Sequence, residues 1–304
     1  MAVGAGTFDL NMNSKFLVRQ FAAILVLGFV LAACSPISLL NAVSPGQADV
    51  SRVARNVAYG NEPRQHLDIY APRQSAGLKP VVFFIYGGGW SEGEKESYSF
   101  VGEAFAAKGF VTVIADYRLV PKVRFPTFLE DNAAALKWTE DHIGDYGGDI
   151  SRLYLAGHSA GAYNAVMLSV APQYLKAVGF KTPIRAVAGL SGPYDFYPFD
   201  VAASIDAFGK APDPAATQPI NLVTKSAPPM VLVTGTSDSI VKPSNTKAFA
   251  AKLREKGVAV EEHYYERQEH ADPLIALGPV FRSKNTALAD VVTFFNAHGA
   301  KAGN

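Results

Sequence analysis

A serine stands between two glycines in the run "LYLAGHSAGAYNAV", residues 153–166. The residues before Gly157 are typical of a buried strand and those from Ala160 onward are typical of a helix, so Ser159 falls in a tight strand-to-helix turn. Such a turn exposes the serine hydroxyl as a nucleophile, and its small neighbours let backbone segments approach closely. The spacing Gly157-x-Ser159-x-Gly161 therefore predicts a nucleophile, provided that a base and an acid follow it.

The base has three candidates, because three histidines follow Ser159: His263, His270 and His298. A serine hydroxyl needs such a base, which a carboxylate must orient. His298 lies in the terminal tail and His263 within a strand-like run, whereas His270 follows that strand in the loop "RQEHADP". We predict His270 as the base.

His270 follows the last predicted strand. The orienting carboxylate is expected one strand earlier, in the loop that follows that strand. The run "MVLVTGTSDSIVKP", from Met230, supplies Asp238 at that place. Asp195, in "LSGPYDF" one strand earlier, is the alternative. We predict Asp238 as the acid of the triad.

Acyl transfer also needs hydrogen-bond donors for the negatively charged oxygen of the tetrahedral intermediate. The run "FFIYGGGWSEG", residues 83–93, places three glycines directly after an apolar strand. Glycines allow the backbone to turn its N–H groups into a site, and the first amide of the helix after Ser159 points the same way. We predict the amides of Gly87, Gly88 and Ala160 as the oxyanion donors.

The elements that would position these groups alternate along the chain. Seven short runs rich in Val, Ile and aromatic residues are predicted as strands, beginning at His66, Val81, Val111, Arg152, Ala186, Met230 and Glu261. Helical patterns cover residues 99–108, 127–143, 160–170, 244–256 and about 283–298. Unbroken apolar strands separated by helices predict a mostly parallel sheet with helices on both faces, whose reactive groups lie at the carboxyl ends of the strands.

Composition indicates a globular chain that acts on a small molecule or binds another protein. The 304 residues are 49% hydrophobic and 18% charged. This length and apolar content are enough to form the hydrophobic core of one large domain or of two small ones. Lys and Arg number 28 against 27 Asp and Glu, so the chain lacks the basic surface of a nucleic-acid-binding protein. After Cys34 there is no cysteine and no H-E-x-x-H motif, so we predict neither a metal nor a cofactor.

The N-terminus has the order of a secretory signal. Lys15 and Arg19 precede an apolar run over residues 21–33, which ends in the small residues "LAAC" with Cys34, the single cysteine of the chain. "LAAC" resembles the lipobox of bacterial lipoproteins, in which the cysteine is lipidated. An ordinary signal with a small buried cysteine and an uncleaved membrane anchor are the alternatives.

These features predict three segments: a lipoprotein-type signal peptide at 1–34, a tether at 35–56 and a catalytic domain at 57–304. Translation could begin at Met1 or at Met12. The resemblance to lipoproteins implies export, an N-terminal lipid anchor in the outer membrane and a catalytic domain in the periplasm or at the cell surface. The oligomeric state is not predicted.

From about residue 57 onward the chain resembles the α/β-hydrolase carboxylesterases with an HGGG-type oxyanion loop, a group similar to hormone-sensitive lipase and to small bacterial esterases. The motifs that carry the resemblance occur in the expected order: "YGGGW", "ADYRL", "FPTFLEDNAAALKW", "GHSAGA", "SGPYD" and "GTSDSIV". The resemblance implies an α/β-hydrolase fold and hydrolysis of carboxylic esters. Tyr86 departs from it, since many members carry a histidine there.

Two other functions fit the same residues. An amidase of the arylformamidase type would use the same triad and a similar glycine loop. A surface lipoprotein could instead use the fold to bind a partner without catalysis.

The expected substrate site is small. The segment 196–229 is short and interrupted by Pro and Asp, without the long amphipathic helix of a lipase lid, so it predicts a short cap. Four aromatic residues near the nucleophile are predicted to line a compact apolar pocket: Tyr86, Trp90, Tyr194 and Phe196.

Overall fold

The computed structural model describes residues 36–74 and 76–299. The predicted signal peptide, with Cys34 and both candidate start residues, lies outside the described residues. Contacts within the chain divide it into two units, Met1–Val43 and Ser44–Asn304. The described part of the first unit is one helix, α1 (Pro36–Val43). Within the described ranges, every helix is too short or too polar to cross a membrane.

The described residues of the second unit form an eight-stranded sheet in the order β1-β2-β4-β3-β5-β6-β7-β8. The strands are β1 (Val50–Ala58), β2 (His66–Pro72), β3 (Lys79–Ile85), β4 (Val111–Ala115), β5 (Gly148–His158), β6 (Ile184–Leu190), β7 (Met230–Gly235) and β8 (Val260–Tyr265). β1 pairs with β2, and β2 with β4, in antiparallel fashion, and all other pairs are parallel. The predicted mostly parallel sheet is confirmed. Its inner strands are mostly apolar because both faces of the sheet are covered: every residue of β4 and β7 is buried.

Helices pack around this sheet. Those described in the second unit are α2 (Ser99–Ala106), α3 (Thr127–His142), α4 (Ala160–Val170), α5 (Gln173–Ala177), α6 (Ala202–Phe208), α7 (Pro219–Leu222), α8 (Ser244–Glu255), α9 (Asp272–Ile275) and α10 (Ala287–Ala297). Helix α4 lies very close to the sheet, since a Cβ added to Gly161 would stand 2.0 Å from the carbonyl oxygen of Ile85. Only glycine allows this approach, which brings the start of α4 against the end of β3.

The start of the second unit differs from the prediction. The predicted tether at 35–56 contains most of β1, which begins at Val50 and pairs along β2. Only Val50 of this strand is buried, and its register against β2 shifts twice. As a solvent-exposed edge strand with two arginines and an asparagine, β1 has no apolar run by which to recognise it.

The segment between β6 and β7, residues 191–229, carries short elements only: α6, a 3₁₀ turn at Ala215–Thr217 and α7. Helix α6 is anchored by Phe208, which is fully buried and meets the Trp90 ring edge-to-face at a centroid distance of 4.8 Å. The expected short cap is therefore present, and an aromatic contact joins it to the glycine loop after β3.

Candidate active site

Ser159 occupies the sharp turn between β5 and α4. Its backbone has φ 54° and ψ −123°, in the left-handed region that residues with a side chain rarely adopt. The turn is held by a hydrogen bond from the Ser159 amide to the carbonyl of Leu190, at 2.8 Å. A Cβ on Gly157 would lie 2.3 Å from the Gly161 carbonyl oxygen, so the flanking glycines are required by space. The half-buried Ser159 borders a cavity.

The predicted acid and base are hydrogen-bonded to each other. Nδ1 of His270 lies 2.8 Å from Oδ2 of Asp238, whose side chain is fully buried. The other carboxylate oxygen accepts the amides of Ile240 at 3.0 Å and Val241 at 2.8 Å. A carboxylate that only accepts hydrogen bonds fixes a proton on Nδ1 of the imidazole, which leaves Nε2 of the neutral ring free to accept one.

The alternative residues lie elsewhere. Asp195 is exposed at the cavity, and its backbone amide donates to Asn245 Oδ1 at 3.0 Å. His263 faces Asp290 from β8 at 3.7 Å, and Nδ1 of His298 lies 2.9 Å from the Phe294 carbonyl. The structure therefore brings His270 into contact with Asp238. His263 and His298 have other partners.

The loops that carry this pair are bonded to one another where β7 and β8 end. The amide of Thr236 donates to the Tyr265 carbonyl and the amide of Ser237 to the Gln268 carbonyl, both at 2.9 Å. A Cβ on Gly235 would lie 2.1 Å from the Gln268 oxygen, so this contact needs glycine at the end of β7. The loop after β7, which carries Asp238, and the loop after β8, which carries His270, are thus bonded into one support for this pair.

A histidine that the sequence-based prediction left out links this support to the turn that carries Ser159. His158 precedes Ser159, and its Nε2 lies 3.0 Å from the carbonyl oxygen of His270. Burial lowers the pKa of His158 to about 3, so the ring is neutral near pH 7 and its Nε2–H donates to that carbonyl. The signal in the sequence was its place between Gly157 and the predicted nucleophile, Ser159.

We expect replacement of His158 by glutamine to change the pH dependence of stability. The unfolded chain binds a proton at this residue below pH 6.5, whereas the folded chain does so only near pH 3. The wild type therefore keeps the full contribution above pH 6.5 and loses about 1.4 kcal/mol per pH unit as the pH falls below it. Urea unfolding at pH 7 and pH 5 should show the wild type losing about 2 kcal/mol more than His158→Gln. Equal losses in both proteins would contradict the assignment of a neutral buried ring.

The glycine loop after β3 carries three consecutive residues with positive φ: Gly88 at 111°, Gly89 at 57° and Trp90 at 60°. A Cβ on Gly88 would lie 2.3 Å from the carbonyl oxygen of Glu92, so the loop is tightly closed. Gly89 and Ala160 border the cavity next to Ser159.

The predicted set of oxyanion donors needs a correction at Gly87. This residue is buried behind Ser159, whose Cβ would stand 3.0 Å from a Cβ added to Gly87. Its backbone hydrogen-bonds the hydroxyl of Tyr98. Gly89, which was not predicted, stands at the cavity instead, because the turn at Gly88 places the following residue on the open side of the loop.

The cavity has a volume of about 490 Å³. Of the four aromatic residues predicted for the substrate pocket, Trp90 and Phe196 border this cavity, with their rings stacked at 6.2 Å. Tyr86 and Tyr194 do not: both are fully buried, Tyr86 behind the glycine loop and Tyr194 stacked on Phe249 at 4.6 Å. Tyr194 turns inward because glycines at 189 and 192 leave room for its ring. Within residues 36–74 and 76–299, no group of three or more His, Cys, Asp or Glu side chains is placed to hold a metal ion.

Comparison with known proteins adds a family and a fold. Residues 67–253 match the BD-FAE family. The chain is 30% identical over 270 residues to isoprenylcysteine alpha-carbonyl methylesterase ICME of Arabidopsis thaliana, covering 81% of this chain and 62% of that protein. It is 30% identical over 223 residues to esterase LipC of Mycobacterium tuberculosis, covering 66% and 55%. The chain thus spans little more than half the length of these curated relatives.

Two solved structures resemble this one. A truncated carbohydrate esterase from gut microbiota aligns with a TM-score of 0.76 at 19% identity, over 85% of this chain and all of that one. Esterase B from Lactobacillus rhamnosis aligns with a TM-score of 0.75 at 18% identity, over 95% and 96%. At these identities the likeness establishes the fold alone, and the predicted α/β-hydrolase fold is confirmed.

Proposed function

Since this chain belongs to the BD-FAE family, we propose that it is a serine carboxylesterase that hydrolyses short-chain esters through an acyl-enzyme intermediate. The observation that carries the proposal is the 2.8 Å hydrogen bond between His270 and the buried Asp238. His158, the residue that precedes Ser159, is hydrogen-bonded to the His270 carbonyl. A nucleophile, a base and an orienting acid are the parts that acyl transfer requires.

The proposed reaction has two halves. Oγ of Ser159 attacks the ester carbonyl carbon while Nε2 of His270 takes its proton, and Asp238 stays ionised and stabilises the imidazolium. The carbonyl oxygen becomes negative and accepts backbone amides, for which we propose Gly88, Gly89 and Ala160. The C–O bond to the alcohol then breaks, and His270 returns the proton to the leaving oxygen. Water repeats the sequence on the acyl-enzyme and releases the acid.

The direct test uses the full-length protein with p-nitrophenyl butyrate and, in parallel, with an N-formyl anilide. We expect faster turnover of the ester and, with an alkyl phosphonate, a covalent adduct that peptide mass spectrometry places on Ser159. Preferred turnover of the anilide would favour the amidase. Absence of both turnover and adduct would overturn the proposed enzyme in favour of a binding protein.

The size of the cavity leads to an expected chain-length profile. Trp90 and Phe196 form apolar walls, and the short cap offers no long helix to cover an extended chain. We expect the highest kcat/KM for acyl chains of about two to six carbons, since each buried CH₂ contributes about 0.8 kcal/mol until the pocket ends. A series of p-nitrophenyl esters from acetate to hexadecanoate measures this. A maximum at dodecanoate or longer, or a rate jump above the micelle concentration, would show a lipase site.

A further inference from the structure

The two ends of the glycine loop, residues 86–93, meet beside one another. Tyr86 begins the loop, and a Cβ on Gly93 at its other end would lie 2.7 Å from the Tyr86 ring. Between them, Gly88, Gly89 and Trp90 all have positive φ. A non-glycine residue in that conformation is held only when its surroundings over-determine it, so the shape of this loop depends on what fixes its ends.

Arg64, in the turn between β1 and β2, bonds both ends of the loop. Its Nη2 donates to the Tyr86 hydroxyl at 2.8 Å and to the Gly93 carbonyl at 2.6 Å. Its Nε donates to the carbonyl of Tyr117 at 2.8 Å, and the Tyr117 hydroxyl donates to the Tyr86 carbonyl at 3.0 Å. One planar guanidinium thus fixes the distance between the two ends of the loop.

Asp116 completes the arrangement from the end of β4. Its Oδ1 accepts the Tyr86 hydroxyl and the Lys95 amide, both at 2.8 Å, and lies 3.5 Å from Nη2 of Arg64. Burial, with Asp116 beside it, raises the pKa of Tyr86 well above its usual range, so the hydroxyl stays protonated. The phenol therefore accepts from Arg64 and donates to Asp116 at the same time.

We infer that Arg64 is a positioning residue for ester hydrolysis, which acts through Tyr86 and Gly93 to set the geometry of the oxyanion loop. The inference rests on the proposed function, because an oxyanion loop matters only if a tetrahedral intermediate forms. Arg64 does not border the cavity, so it contacts no substrate there. The tyrosine that replaces the histidine of related loops supplies the hydroxyl by which the guanidinium reaches the loop.

The consequence for kinetics is specific. The negative oxygen exists only in the transition state and the intermediate, so a misplaced loop weakens their binding and leaves binding of the substrate unchanged. Arg64→Ala is expected to lower kcat for p-nitrophenyl butyrate roughly 10- to 100-fold, with KM within about twofold of wild type.

A matched control is Arg152→Ala. The side chain of Arg152 is 34% exposed, against 32% for Arg64. It likewise bonds a carbonyl, that of Leu78 at 2.7 Å, and a carboxylate, that of Asp149 at 2.8 Å. Arg152 lies near the start of β5, at the amino ends of the strands, so its loss should lower the unfolding temperature without changing kcat.

A second readout separates positioning from simple destabilisation. An alkyl boronic acid forms a tetrahedral adduct with the nucleophile, so its Ki should rise in Arg64→Ala by about the factor lost in kcat, whereas Arg152→Ala should match wild type. Because Arg64 is partly exposed, added methylguanidine should restore part of kcat in Arg64→Ala only.

Tyr86→Phe covers the case in which Arg64→Ala does not fold. It removes the hydroxyl between Arg64 and Asp116 but keeps the ring stacked on Tyr98 at 5.2 Å and on Tyr117 at 4.8 Å. We expect a smaller loss in kcat with KM unchanged. Unaltered kcat and boronate Ki in a folded Arg64→Ala or Tyr86→Phe protein would overturn the inference, as would equal kcat losses in both arginine variants. A wild type without turnover or phosphonate adduct would instead overturn the proposed function.

Discussion

Alanine in place of Ser159 is expected to lower kcat/KM for p-nitrophenyl butyrate by roughly 10⁴-fold or more. The hydroxyl oxygen is the atom that forms the acyl bond in the proposed mechanism, and no neighbouring group replaces it. Alanine retains the Cβ that the turn at φ 54° already accommodates, so the fold should be unchanged. Initial rates with the purified variant, together with its circular dichroism spectrum and unfolding temperature, provide the measurement.

The same variant should fail to react with the phosphonate that labels the wild type. Activity above a tenth of wild type in a folded Ser159→Ala protein would falsify the assignment of the nucleophile. If Ser159→Ala loses both its activity and the circular dichroism spectrum of the folded protein, the experiment is repeated with Ser159→Cys. This variant keeps a nucleophilic atom and should regain the covalent adduct.

Asparagine in place of Asp238 is expected to lower kcat by about 10⁴-fold. The amide keeps the shape of the carboxylate, but it no longer holds the proton on Nδ1 of His270 or stabilises the imidazolium. Asp195→Asn, at the exposed rival position, should cost less than about tenfold, since its carboxylate is not bonded to His270.

Both variants are compared with wild type in kcat, KM and unfolding free energy. The reverse ranking, with Asp195→Asn the more damaging change, would show that the other carboxylate orients the base. The unfolding free energies establish that both variants are folded under the assay conditions, so that a difference in kcat reports on the chemistry of the site.

Much of the fold followed from the sequence because its signals are local. The seven predicted strands and five predicted helices are present. Each is marked by a run or a periodic spacing of apolar residues, which can be recognised without knowing its partners in the fold. Asp238 and His270 could be placed because parallel strands bring their carboxyl ends to one edge of the sheet. Strand β1 was missed, since an exposed edge strand has no such run.

The supporting residues of the site could not be placed in this way, because their roles depend on contacts between distant parts of the chain. Arg64 lies 22 and 29 residues from its two partners on the glycine loop, and His158 lies 112 residues from His270. Tyr86 and Tyr194 have the residue type of pocket walls, yet their rings point into the core. The lipoprotein signal at residues 1–34 stays a prediction.

The left-handed backbone of Ser159 also has a consequence for how such a sequence can evolve. A serine at this φ and ψ is less stable than a glycine by about 1–3 kcal/mol, because glycine adopts that conformation without strain. If Ser159 is the nucleophile, as proposed, selection for turnover retains the serine, and selection for a stable fold acts against it. In a lineage released from the need to hydrolyse esters, substitution of residue 159 by glycine would leave a more stable descendant with the same fold and no nucleophile.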